Sequence, residues 1–235
     1  MSYAEVVNTS AAWYELNYAD DYIGAVRTME TLTVFPQNVM VADTKGNIYY
    51  QRTGRVPIRP EGYDFTVPVD GSTSKTEWTG IHLSADHLQT LNPPQGYMQN
   101  CNVPPDAMMQ NSPFKYGSVP NYLYGGPGYT HSRFGGAIHG WTNQRGARAI
   151  ELLYKNDSVT VDDAKSIIND VQPYGVKRWL EALMRAYETG PQLSDQMAKE
   201  LKRLYLWGGH LHASSQQALL YYYWRAQLIE DLGGR

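Results

Sequence analysis

Four polar residues in a row, Gln99-Asn100-Cys101-Asn102, follow the turn-forming run Asn92-Pro93-Pro94-Gln95-Gly96. An asparagine side chain can donate two hydrogen bonds from one NH₂ group. Set at the end of an extended segment and facing a cleft, such a donor stabilises a developing oxyanion without itself taking a charge. Asparagine also satisfies the backbone of turns, and composition alone favours that use of these residues.

Other chemistries find less support in residue type and spacing. Six histidines are present: His82, His87, His131, His139, His210 and His212. His82 and His87 are five apart in a turn-rich stretch, and His210 and His212 flank one residue of a loop. None has HExxH or CxxC company, so no metal is assigned. There is no G-x-S-x-G nucleophile motif. Cys101 is the single cysteine, which excludes a disulfide within the chain and a cysteine metal cluster. Gly125-Gly126-Pro127-Gly128 neither follows a strand nor opens a helix, which argues against a phosphate loop.

Composition narrows the class. A chain of 235 residues is long enough for one large domain or two small ones. A net charge of −3 makes no electrostatic case for nucleic acid or an anionic membrane. No run approaches the roughly 18 apolar residues of a membrane span. The first residues lack the basic start and apolar stretch of a secretory signal. Nineteen tyrosines suit a sheet-rich fold with amphipathic faces.

These groups must be positioned by two unlike regions. Residues 1–155 hold most of the glycines and prolines, while residues 156–235 show helical spacing. In the first region, residues 19–32 predict a helix whose apolar face carries Tyr22, Ile23, Val26 and Met29. Residues 38–43 and 47–51 predict a hairpin about Thr44-Lys45-Gly46-Asn47. Residues 55–60 continue extended, because each proline biases its predecessor toward β geometry. Residues 61–102 are rich in turns and end in a short predicted strand over 97–102. Residues 103–144 read as a long loop, a length that in a compact domain usually means function or mobility. Helices are predicted over 144–154, from an N-cap at Thr160 to about 171, and over 176–189, 194–206 and 214–232.

Several blocks recur in a familiar order. They are Asp43-Thr44-Lys45-Gly46-Asn47-Ile48-Tyr49-Tyr50, Gly54-Arg55-Val56-Pro57-Ile58-Arg59, Tyr63-Asp64, Val67-Pro68-Val69-Asp70-Gly71, Glu77-Trp78-Thr79-Gly80 and the run from Asn92 to Asn102. Together they resemble the penicillin acylase family of N-terminal-nucleophile hydrolases, as an interior β-chain segment. Arg145 to Leu153 and the stretch from Leu206 to Trp224 extend the resemblance over essentially the whole chain. The resemblance implies an α+β fold, part of an αββα sandwich of antiparallel strands in residues 1–155 followed by a mostly helical region in 156–235. It implies hydrolysis of acyl amides such as β-lactams, acyl-homoserine lactones or related amides. At the matching positions, Asn102 donates to the oxyanion and Arg145 orients the polar network.

The departures set further expectations. The family's nucleophile is a serine whose own α-amine is the base, an arrangement that works because an α-amine titrates near neutrality. That serine opens the β-chain well upstream of the block at Gly46, and Ser2-Tyr3-Ala4 does not match it. The chain alone is therefore expected to be an inactive fragment, its partner an upstream segment or chain carrying the serine and its substrate a small amide. Half of the family core is expected to leave an unpaired strand edge and an uncovered apolar sheet face. Family members bind structural calcium, and Asp64 with the Phe65 backbone matches part of that site; no metal is assigned on this basis. Family enzymes are often periplasmic or secreted. The alternative is a non-catalytic binding or structural domain descended from the family. A third reading is an enzyme of another class using Cys101 with His82 or His139.

Overall fold

The structure, a computed structural model, describes residues 6–65, 67–115, 117–124 and 143–233. The chain divides into two compact units, Met1–Thr142 and Asn143–Arg235.

The first unit is organised by one strand, β2 (Ile48–Arg52), which lies between β1 (Asn38–Ala42) and β5 (Gln89–Leu91) in a three-stranded antiparallel sheet. The predicted hairpin forms, with Asn38 opposite Arg52 and Ala42 opposite Ile48. Asp43 closes its turn: one carboxylate oxygen accepts the N–H groups of Lys45 at 3.0 Å and Asn47 at 2.9 Å. Gly46 supplies the left-handed conformation there, at φ 88°. Because side chains alternate along a strand, Tyr49 and Tyr50 enter different clusters. Tyr49 joins Ala12, Ala25, Met29 and Val34 from the helical side. Tyr50, fully buried, joins Leu88, Val103, Met108, Met109 and Phe114.

Two helices cover the first of these faces. α1 (Val6–Asn17) was not evident in the sequence, where its Asn-Thr-Ser run masks the period; it packs through Ala12, Trp13 and Leu16. α2 (Tyr22–Glu30) is capped by Asp21, whose carboxylate accepts the Gly24 N–H at 3.1 Å. Its buried residues are Ala25, Thr28 and Met29, with Tyr22 and Val26 packed against the same cluster; of the predicted apolar face only Ile23 is turned to solvent. With both faces of β2 covered, the expected bare sheet face is not found at this strand. A second sheet pairs β3 (Pro57–Ile58) with β4 (Gly80–Ile81).

Residues 97–102 are not the predicted strand. Asn102 is left-handed at φ 58°, which no extended strand accommodates. The following segment holds a 3-10 turn over Pro105–Ala107 and the short helix α3 (Asn121–Tyr124). Ser2, the glycine-rich stretch Gly125-Gly126-Pro127-Gly128, His131 and His139 lie outside the described residues.

The second unit is helical: α4 (Gln144–Tyr154), α5 (Val161–Ile168), α6 (Val176–Thr189), α7 (Asp195–Tyr205) and α8 (Gln216–Asp231). Thr160 caps α5 through a reciprocal pair with Asp163, and Ser194 caps α7. The core gathers Val176, Leu180, Leu204 and Tyr221, with Trp179 and Trp224 against it. Arg148 ties α4 to the residues after α5, holding Asp170 by two bonds of 2.8 and 3.1 Å. Much of the unit's apolar surface is exposed on α8, at Leu219, Leu220, Tyr222 and Tyr223.

Candidate functional site

Asn102 stands on a turn that is anchored on both sides. Gln99, three residues before it, is buried. The Gln99 backbone N–H donates to the Met108 carbonyl at 3.0 Å, and its side-chain NH₂ donates to the Ala107 carbonyl at 2.9 Å. Its side-chain oxygen accepts the N–H of Cys101 at 3.0 Å. Asn100 adds an Asx turn, accepting the N–H of Asn102 itself at 3.1 Å. Val103, next in sequence, is fully buried. Between these two fixed points Asn102 is exposed in a left-handed conformation, one of the few that asparagine tolerates. The turn-satisfying use of these residue types is what the hydrogen bonds display. Gln99 and Asn100 satisfy turn backbone, and Asn102 is exposed.

A buried phenol in the same unit is held in its protonated form. Tyr124 is buried in the cluster around Tyr50. Burial, and then the Asp106 carboxylate beside it, push its pKa well above the ordinary value.

His87 is buried as well. Its Nδ1 lies 2.9 Å from the Arg52 carbonyl, which can only accept, so the proton sits on Nδ1. Its Nε2 is buried without a hydrogen-bond partner among the described residues. Burial lowers its pKa, because the imidazolium would need an acceptor at Nε2.

A third arrangement was not legible in the sequence. Both ring nitrogens of His82 are engaged: Nδ1 with the Asp86 carboxylate at 3.2 Å, and Nε2 with the Tyr122 hydroxyl at 3.2 Å. The only local signal is the four-residue spacing of His82 and Asp86; Tyr122 is forty residues away.

Arg145 is the second residue of α4 in the second unit, and it is exposed. Asn143 caps that helix by accepting the Gly146 N–H at 2.8 Å. Asp64 lies on an exposed loop. Among the described residues no group of three or more His, Cys, Asp or Glu side chains could hold a metal ion, so Asp64 gathers no such ligand set there.

The penicillin amidase family model matches residues 2–234. The chain belongs to that family. Penicillin G acylase of Escherichia coli is 27% identical over 174 residues, which make up 73% of this chain and 18% of the relative. The thermostable penicillin G acylase from Alcaligenes faecalis superposes with a TM-score of 0.59 at 20% identity, over 90% of this chain and 34% of that one. The chain thus spans well under half the length of these penicillin amidase relatives. The structural likeness bears out the α+β class with antiparallel strands. Membership of the penicillin amidase family supports amidohydrolase-type function. Among the described residues no helix is long and apolar enough to cross a membrane.

Proposed function

We propose that this chain supplies the oxyanion-binding side of a penicillin-acylase-type amidohydrolase that cleaves acyl amides such as β-lactams, acyl-homoserine lactones or related amides. The attacking serine is contributed by sequence outside these 235 residues. Its hydroxyl adds to the amide carbonyl carbon while its own α-amine takes the proton. Negative charge then grows on the carbonyl oxygen, and the Asn102 NH₂ donates to it.

The observation that carries this reading is the mounting of Asn102. A donor that acts on a transient charge must be held in place beforehand, since reorganising it during the reaction would consume what it contributes. Gln99, Asn100 and Val103 hold the backbone on either side of Asn102, which is itself exposed. The fraction of its relatives' length that this chain covers supports a further segment carrying the serine.

Hydrolysis of a chromogenic acyl anilide tests the reading. The chain is assayed alone and together with a segment that carries the serine. Amine release only from the combination is expected. Release by the chain alone would place the attacking group within it. No release from a folded combination would favour a non-catalytic binding domain.

A further inference from the structure

We propose that Tyr122 is a nucleophile, with His82 as its base and Asp86 orienting that base, so that the three form an acyl-accepting site for activated esters.

The proton positions follow from the partners. Asp86 accepts both the Leu83 backbone N–H at 3.0 Å and the His82 ring at Nδ1. An ionised carboxylate can only accept, so His82 Nδ1 carries the proton. In the neutral ring Nε2 is then a lone pair. The Tyr122 hydroxyl, 3.2 Å from Nε2, must donate to it. A nucleophile bonded to a base, with the base held by a third group, is the general signature of covalent catalysis, and tyrosine is among the residues that serve.

The elements that build this arrangement are short but well tied. β3 pairs with β4, and beyond the pair His82 N–H donates to the Val56 carbonyl at 2.9 Å. The 3-10 turn Ser84–Asp86 swings Asp86 back to the His82 ring. α3 contributes Tyr122. The residue after β3, Arg59, places its guanidinium 4.8 Å from the Tyr122 ring centre and 5.5 Å from that of Phe65. Its Nε is buried without an acceptor among the described residues. A cation over the ring favours the charge that develops on the phenol oxygen as its proton leaves.

The step balances without another reactant. Tyr122 Oη forms a bond to the acyl carbon of an aryl ester, and its proton moves to His82 Nε2. The bond from acyl carbon to aryloxide oxygen breaks, and the leaving group takes the proton from the imidazolium. The product is an O-acyl tyrosine, which water then hydrolyses.

The test is acetylation of the full chain by 4-nitrophenyl acetate, with site-by-site rates read by mass spectrometry. Tyr222 and Tyr223 are the references, at 66% and 63% exposed. Both are more exposed than Tyr122, so accessibility cannot favour Tyr122. Tyr122 is expected to label at least about tenfold faster than either, a conservative share of what a general base contributes. His82→Gln keeps a hydrogen-bonding group but removes the base, and it should erase the difference while Tyr222 and Tyr223 label as before. Asp86→Asn should reduce it in part. A native Tyr122 that labels no faster than the references overturns the proposal, whether or not the variants fold. So does a preference that survives His82→Gln.

Discussion

Gln99 and Asn102 are three residues apart and opposite in character: Gln99 is buried, at 6% exposed, and Asn102 faces solvent. Gln99 bonds the Ala107 carbonyl with one end of its amide and the Cys101 N–H with the other. The turn that presents Asn102 is thereby fastened to the segment that follows it.

Replacing that clamp should loosen both fold and site. Gln99→Ala leaves the Ala107 carbonyl and the Cys101 N–H without their partner, at a cost of about 1–3 kcal/mol for buried polar groups. Denaturant unfolding should report the loss. In an active assembly kcat should fall more than KM rises, because a misplaced donor harms the transition state first. An unchanged unfolding midpoint would show that the clamp contributes nothing.

In the second unit the sensitive backbone position is Gly209. Its φ is +81°, and a Cβ built there would lie 2.8 Å from Val176 Cγ1. Val176 is buried and branched, so it has little room to move. Gly209→Ala should cost about 1–3 kcal/mol, the range for enforced backbone strain. A urea melt of the helical unit would check this, and a midpoint equal to the native one would contradict it.

Stability should fall with acid in two windows. The pKa of His87 is lowered by burial, so between its ordinary value of about 6.5 and its folded value the unfolded chain binds more protons. Stability is therefore complete above that ordinary value and declines as pH falls through the folded one. The pKa of Asp170 is lowered chiefly by its hydrogen bonds to Arg148. Its contribution is present above the usual carboxylate range and is lost as pH falls through the folded value. Unfolding measured from pH 8 to pH 3 should show the first decline near neutrality and the second well into acid. His87→Gln should remove the first, and Asp170→Asn should shrink the second, to which Asp21, Asp43, Asp86, Glu151 and Asp163 also contribute. A flat profile in either native window would refute the corresponding assignment.

What could be read in the sequence was what is local. Asp43, Gly46 and Asn47 spell out a tight hairpin, and Thr160 with Asp163 a helix start; both form. The alternation over residues 97–102 looked like a strand, but Asn102 takes a left-handed backbone and Gln99 turns inward. Strand β5 has three residues, too few to carry a period, and it is recognisable only by its pairing with Tyr49, Tyr50 and Gln51. Tyr122 and His82 meet across forty residues through separate elements, and no spacing rule reaches that far. The motif singles out Asn102, and the anchoring of its turn depends on contacts with residues 107 and 108 that only folding creates.

The central claim is that Asn102 stabilises charge in the transition state of amide hydrolysis. Its most direct test is the steady-state kinetics of Asn102→Ala in the assembly that contains the serine. The account predicts a fall in kcat of about 10²–10³, the loss expected for one oxyanion donor, with KM nearly unchanged and the fold intact by circular dichroism. A variant that keeps native kcat would contradict it.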